Sequence, residues 1–90
     1  MVRGHFIVSG MVQGVCFRMY TCREAEKLFL NGWVRNLSNG DVEIVAEGME
    51  GDVAKLLDWC RHGPSYANVT GVKDEFLDAT GKFTSFDIRF

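Results

Sequence analysis

Residues 13–18 combine residue types that could bind an anion at the start of a helix. Helical periodicity begins at Phe17, but no Ser, Thr, Asp or Asn stands directly before it as a cap, and the first charge inside it, Arg18, is positive. A bound anion would explain both features. The free amides of a helix start and of a Gly14 turn with positive φ would donate to it, and the planar guanidinium matches phosphate or carboxylate. One interpretation of this segment is therefore a site for an anion such as phosphate, formed by Gln13, Gly14, Val15, Cys16, Phe17 and Arg18.

The same segment permits a simpler interpretation, in which water satisfies the free amides and an exposed Arg18 has no role. The chain has no G-x-x-x-x-G-K-[ST] motif, which excludes a nucleotide-binding P-loop. It also lacks the C-x5-R spacing of cysteine phosphatases, because Val12 lies six residues before Arg18. Cys16 is therefore interpreted as a small packing residue and not as a nucleophile.

Asn36 is a second unusual residue, because it lies within a predicted strand and Asn is depleted in strands. An edge or exposed position in the sheet would explain it without any function. From the residue alone we favour that interpretation.

Composition restricts the possible partners and cofactors. The 90 residues, 47% of them hydrophobic, predict one small domain over 1–90, and the net charge of -2 argues against a general nucleic-acid binder. No apolar run approaches the roughly 18 residues of a membrane span, and we find no signal peptide. The three cysteines form no C-x-x-C pair and no metal-ligand spacing with His5 or His62. We expect a cytoplasmic protein with no disulfide framework, no metal and no membrane partner.

Hydrophobic periodicity and turn residues predict the elements that position these residues. We predict a strand at 2–9, a helix from Phe17 that ends at Asn31-Gly32, a hairpin of strands 33–38 and 41–47 around Asn39-Gly40, a helix at about 51–62, and two strands within 69–78 and 83–90. The order predicts an α+β fold, a ferredoxin-like βαββαβ sandwich with two helices on one face of an antiparallel sheet and an extra strand near the C-terminus.

Buried positions follow from the same patterns. The predicted core consists of the helix stripes Phe17, Thr21, Ala25, Leu28, Phe29 and Val53, Leu56, Leu57, Cys60, together with Trp33, Phe76, Phe86 and Ile88.

Two motifs resemble the acylphosphatase family. "GMVQGVCFR", at 10–18, has the family form G-x-V-Q-G-V-x-F-R, and "GWVRNLSNGDVE", at 32–43, has the form G-x-V-x-N-x-x-D-G-x-V-E. Asn39 replaces the usual Asp of the second motif; both residues accept a left-handed conformation, so we expect little effect. The resemblance covers essentially all 90 residues, including "GPSYANVTGV" after the second helix.

The resemblance implies a function for both unusual residues. It implies hydrolysis of an acyl phosphate to a carboxylate and inorganic phosphate, with Arg18 and Asn36 as the catalytic residues. The 13–18 loop and Arg18 would hold the phosphoryl group, and Asn36 would position the attacking water in line. A carboxylate leaving group, whose conjugate acid has a pKa of about 4, needs no general acid. No cofactor or catalytic metal is expected.

Three other functions remain open at this point. The chain could be a binding module of a larger machine, as in hydrogenase-maturation carbamoyltransferases, a ferredoxin-like RNA-binding module, or a structural interaction domain. Because the chain ends at Phe90 and is slightly acidic, we favour a free-standing, monomeric enzyme that acts on a small acyl phosphate.

Overall fold

The computed structural model describes all 90 residues and has the predicted ferredoxin-like architecture. The elements are β1 (Val2–Met11), α1 (Phe17–Lys27), β2 (Asn31–Asn36), β3 (Val42–Gly48), α2 (Glu50–Cys60), β4 (Asn68–Asp78) and β5 (Phe86–Arg89). They form one five-stranded sheet in the order β4-β1-β3-β2-β5. The first four strands are antiparallel neighbours, whereas the extra strand β5 pairs with β2 in parallel. Neither helix is long and apolar enough to cross a membrane.

The core lies between one face of the sheet and the two helices. Phe6, Ile44 and Val34 lie opposite one another on β1, β3 and β2, and all three are fully buried. Alternate residues of a strand point to opposite faces, so this row covers the helix side of the sheet. The predicted α2 stripe of Val53, Leu56, Leu57 and Cys60 is confirmed as buried.

The predicted end of α1 is wrong. The helix ends at Lys27, and Phe29, with φ 57°, is the left-handed residue, so its side chain is 90% exposed and not buried. Leu30 fills the core in its place. Gly32, with φ 145°, belongs to β2, where a Cβ would lie 1.9 Å from the carbonyl oxygen of Val45. Glycine is therefore required at position 32 because the neighbouring strand comes so close, and not because a helix ends there.

Trp33 is buried as predicted, although on the other face of the sheet, whereas the predicted burial of Phe76 is wrong. Trp33 is only 9% exposed, but it alternates with Val34 and faces away from the helices, beneath the guanidinium groups of Arg35 and Arg89. Phe76, on the edge strand β4, is 38% exposed. Phe86 is buried as predicted, and Ile88 packs against the core.

Candidate active site

The β1–α1 loop and the end of β2 meet at a cavity of about 270 Å³. Arg18 and Asn36, 18 positions apart in the sequence, both line it. The lining residues are Val12, Gly14, Cys16, Phe17, Arg18 and Asn36. The fold thus brings the two unusual residues of the sequence to one place.

The start of α1 has the uncapped geometry that the sequence indicates. Gly14 has a positive φ of 76°, as predicted. Cys16 is the N-cap residue; it is also left-handed, with φ 62° and ψ 23°, and makes no side-chain capping hydrogen bond. A non-glycine residue in this region costs about 1–2 kcal/mol, and such strain persists where the surroundings impose it, commonly at functional sites. Cys16 is exposed, so its interpretation as a packing residue is wrong.

Two residues hold the loop in place. The Gln13 side chain donates from Nε2 to the carbonyl oxygens of Leu37, at 2.7 Å, and Asp41, at 2.8 Å. Since Leu37 directly follows Asn36, this amide joins the loop to the strand end that carries Asn36. Phe17 is buried, and its ring packs 5.5 Å from that of Trp59 in α2. The loop is therefore fixed to both the hairpin and the second helix.

The turn after Asn36 is closed by side-chain and backbone bonds. The backbone N–H of Leu37 donates to the oxygen of Asp41 at 2.8 Å, and Gly40 has a φ of 98°. Asn39 is not left-handed. Its Oδ1 instead accepts from the N–H of Asp41 at 3.0 Å, which an Asp side chain could also do.

The end of β5 orients Arg18. Nη1 of Arg18 donates to the carbonyl oxygen of Arg89 at 3.3 Å, and the guanidinium carbon lies 4.8 Å from the centre of the Phe90 ring. No carboxylate forms an ion pair with Arg18. Because a guanidinium has five N–H donors, most of them remain for an oxyanion, and its charge is not neutralised within the chain.

Asn36 is the last residue of β2 and has an unpaired buried oxygen. β2 is not an edge strand, because it lies between β3 and β5. Its pairing with β5 ends at Arg35, however, so Asn36 pairs only with Val42 and is half-exposed at a strand end. Oδ1 is buried without any hydrogen-bond partner. A buried acceptor left unpaired costs about 1–3 kcal/mol. Because Oδ1 has almost no solvent-accessible surface, a donor in the cavity can reach it only after the amide turns.

The predicted phosphate residues have different positions around the loop. Gly14, Cys16, Phe17 and Arg18 line the cavity with Asn36, whereas Val15 lines a neighbouring cavity. The side chain of Gln13 is used by the hairpin. Three further contributors were not predicted as part of the site: Val12, Arg89 and Phe90. Val12 lies within the first motif and could have been included, but no pattern indicates the other two.

The groups whose pKa values are shifted by their surroundings lie outside this cavity. Burial tends to raise the pKa of Glu47, but hydrogen bonds from the N–H and hydroxyl of Thr80 and the N–H of Gly81, with the charge of Arg3, lower it overall. Burial raises the pKa of the Cys60 thiol far above its usual range. No group of three or more His, Cys, Asp or Glu side chains is placed to hold a metal ion.

Comparison with known proteins identifies the family. The family model described as Acylphosphatase matches residues 4–88 of the chain. The chain belongs to the acylphosphatase family. An acylphosphatase of Moorella thermoacetica is 52% identical over 89 residues, which cover 99% of this chain and 95% of that protein.

Solved structures agree with this assignment. The crystal structure of acylphosphatase from Bacillus subtilis is 34% identical, covers both chains completely and superposes with a TM-score of 0.96. An acylphosphatase from Coxiella burnetii is 42% identical, with a TM-score of 0.92 over 98% of this chain and 92% of the other. The chain is therefore an enzyme of the acylphosphatase type.

Proposed function

We propose that the chain hydrolyses the carboxyl–phosphate bond of acyl phosphates, with the phosphoryl group held by the 13–18 loop and Arg18, and the water positioned by Asn36. The observation that carries this proposal is the convergence of Arg18 and Asn36 on one cavity at an uncapped helix start. The reaction balances as an acyl phosphate dianion plus water giving a carboxylate and dihydrogen phosphate.

The loop and Arg18 bind the phosphoryl oxygens. The free amides of the first turn of α1 and the positive end of its dipole favour an anion. Arg18 adds a full charge that no carboxylate of the chain neutralises. Charge on the equatorial oxygens is stabilised in the transition state by donors that are already in place.

Asn36 orients the attacking water. The Asn36 side chain lines the cavity, and its amide carries both N–H donors and an acceptor oxygen, so it can hydrogen-bond a water molecule there. A water held by this amide keeps a lone pair free, and phosphorus held by the loop is its target. The water oxygen forms the new bond to phosphorus, and the bond from phosphorus to the acyl oxygen breaks. A proton of the water passes to a phosphoryl oxygen.

The leaving group explains why the site needs neither a general acid nor a metal ion. A carboxylate, whose conjugate acid has a pKa of about 4, departs without a proton at neutral pH. The residues that line the cavity include no His, Asp or Glu. We therefore propose metal-independent hydrolysis without a cofactor.

We further propose that the chain acts as a single, monomeric domain in the cytoplasm, and not as an RNA-binding module. RNA-binding sheets stack bases on exposed aromatic side chains. Trp33 is covered by Arg35 and Arg89, and Arg35 is itself paired with Glu43 at 2.7 Å. The near-complete coverage of the Moorella relative supports a free-standing enzyme over a module of a larger chain.

Two substitutions of Arg18 test the proposal. Arg18→Ala removes the charge, and Arg18→Lys keeps the charge but loses the planar fork. We expect Arg18→Ala to lower kcat/KM for acetyl phosphate by about 10³-fold or more and to raise the inhibition constant of inorganic phosphate. Arg18→Lys should also be severely impaired.

Lys27→Ala is the matched control, since Lys27 is an exposed cation on the same helix. It should behave like the wild type, and all three variants should show wild-type urea unfolding within about 1 kcal/mol. Hydrolysis by Arg18→Ala at the wild-type rate would contradict the proposed mechanism.

A further inference from the structure

A second cavity adjoins the active site. It has a volume of about 420 Å³ and is lined by Gly14, Val15, Cys16, Tyr20 and Tyr66. Gly14 and Cys16 line both cavities, so the two cavities meet along the backbone of the 13–18 loop. The second cavity is lined by apolar and aromatic side chains and includes no charged residue.

The two tyrosine rings of this cavity lie outside the core, although the centre of the Tyr20 ring is 5.7 Å from the guanidinium carbon of Arg23. Tyr66 is 81% exposed and Tyr20 is 39% exposed, and neither hydroxyl makes a hydrogen bond within the chain. The backbone of Tyr66 lies in a turn closed by the N–H of Ala67, which donates to the oxygen of Pro64 at 2.9 Å. Two large exposed rings beside a polar site are typical of a ligand pocket.

The in-line geometry of the reaction indicates which part of the substrate lies in the second cavity. In an in-line displacement the attacking and leaving oxygens lie on opposite sides of phosphorus. Asn36 lines only the first cavity, and the tyrosines line only the second. A phosphoryl group held at the shared residues, with its water on the Asn36 side, therefore directs its acyl group toward the tyrosines.

We infer that Tyr20 and Tyr66 form an acyl subsite that makes this enzyme prefer aromatic acyl phosphates to acetyl phosphate. This inference rests on the proposed function. The phosphoryl end is common to every acyl phosphate, so selectivity in binding comes from contacts with the acyl group. Leaving-group basicity also differs between substrates, but it is the same in every variant and cancels when variants are compared. A phenyl ring between two tyrosines gains apolar burial and ring–ring contacts, whereas a methyl group reaches little of either.

Substrate pairs separate the subsite from the catalytic centre. We would measure kcat/KM for benzoyl phosphate and acetyl phosphate in the wild type, Tyr20→Ala, Tyr66→Ala and Tyr66→Phe. We expect each Ala variant to lose about fivefold to tenfold with benzoyl phosphate and less than about twofold with acetyl phosphate. Tyr66→Phe, which keeps the ring, should match the wild type. Phe29→Ala, which removes an exposed aromatic ring outside both cavities, is the control.

Binding of two stable analogues, benzoylphosphonate and acetylphosphonate, tests the subsite independently of turnover. The wild type should bind benzoylphosphonate more tightly, and the Ala variants should lose this difference. An unchanged substrate ratio and analogue ratio in both Ala variants would overturn the subsite. If the wild type hydrolyses neither substrate, the proposed function fails, and the analogue affinities alone then decide whether the tyrosines bind an acyl group.

Discussion

Gln13→Ala should loosen the active site without unfolding the protein. The Gln13 side chain makes two hydrogen bonds, at 2.7 and 2.8 Å, from the 13–18 loop to the turn after Asn36. The carbonyls of Leu37 and Asp41 each keep one backbone donor in the variant, from Gly40 and Leu37 respectively, so neither is left unpaired. At about 0.5–1.5 kcal/mol per bond, and toward the low end for carbonyls that stay paired, we expect the free energy of unfolding to fall by about 1–2 kcal/mol.

The fall in kcat should be larger than the modest loss in the free energy of unfolding would suggest. The two bonds join the loop that we propose holds phosphorus to the strand end that we propose holds water. A displacement of about 1 Å between reacting groups costs on the order of 10²-fold in rate. We therefore expect kcat for acetyl phosphate to fall by about tenfold to 10²-fold, with a smaller change in phosphate affinity. Gln13→Glu should be worse than Gln13→Ala, because a carboxylate cannot donate and faces two carbonyl oxygens.

Urea unfolding and steady-state hydrolysis measure the two effects. Asn31→Ala is the matched control, because it removes another amide-to-carbonyl bond, from Asn31 to Phe83, at the opposite end of β2. It should reduce stability and leave kcat unchanged. If Gln13→Ala keeps the wild-type kcat, the two bonds do not position the catalytic groups and the reasoning is refuted.

Three further outcomes are expected. The pKa of Glu47 is lower in the folded than in the unfolded protein, so its hydrogen bonds stabilise the fold at pH values above the ordinary pKa of 4.5, and this stabilisation is lost as the pH falls through the folded pKa. At pH 7 the free energy of unfolding of Glu47→Gln should therefore be about 1–3 kcal/mol below that of the wild type. Urea unfolding at a series of pH values should show the two proteins converging in acid. Phe90→Ala should weaken phosphate inhibition about twofold to fivefold by freeing the Arg18 guanidinium; an unchanged inhibition constant would show that the ring does not orient it. Cys16→Ala, and the wild type in excess chelator, should stay within about tenfold of the normal rate, and a larger loss in either assay would indicate a thiol or metal mechanism.

Local patterns in the sequence were sufficient for most of the fold. The stripe of α2 and the apolar, β-branched run of β1 depend on residues a few positions apart, and local patterns report those directly. The end of α1 was not predictable in this way. Asn31-Gly32 has the composition of a helix stop, yet Gly32 is needed because the carbonyl of Val45 on a neighbouring strand approaches its backbone. The burial of Trp33 was predictable, but hydrophobicity alone does not tell which face of a sheet a ring covers.

The candidate site was predictable only in part for a similar reason. Arg18 and Asn36 are unusual in their local context, and the resemblance to a family joined them. The bonds from Gln13 to Leu37 and from Arg18 to Arg89 join residues 24 and 71 positions apart. Such contacts depend on the register of the strands and on the parallel placement of β5, which no local pattern specifies.

Asn36→Ala tests the central claim most directly, because binding of the phosphoryl group and positioning of the water should separate in this variant. Arg18 and the loop remain intact, so the inhibition constant of inorganic phosphate should stay within about twofold of the wild type. Loss of one positioning group should lower kcat by about 10²–10³, or ~3–4 kcal/mol of barrier. We therefore predict a folded protein that binds phosphate normally and hardly turns over acetyl phosphate. A variant that keeps most of its kcat, or that loses phosphate affinity in proportion to its rate, would contradict the assignment of the water to Asn36.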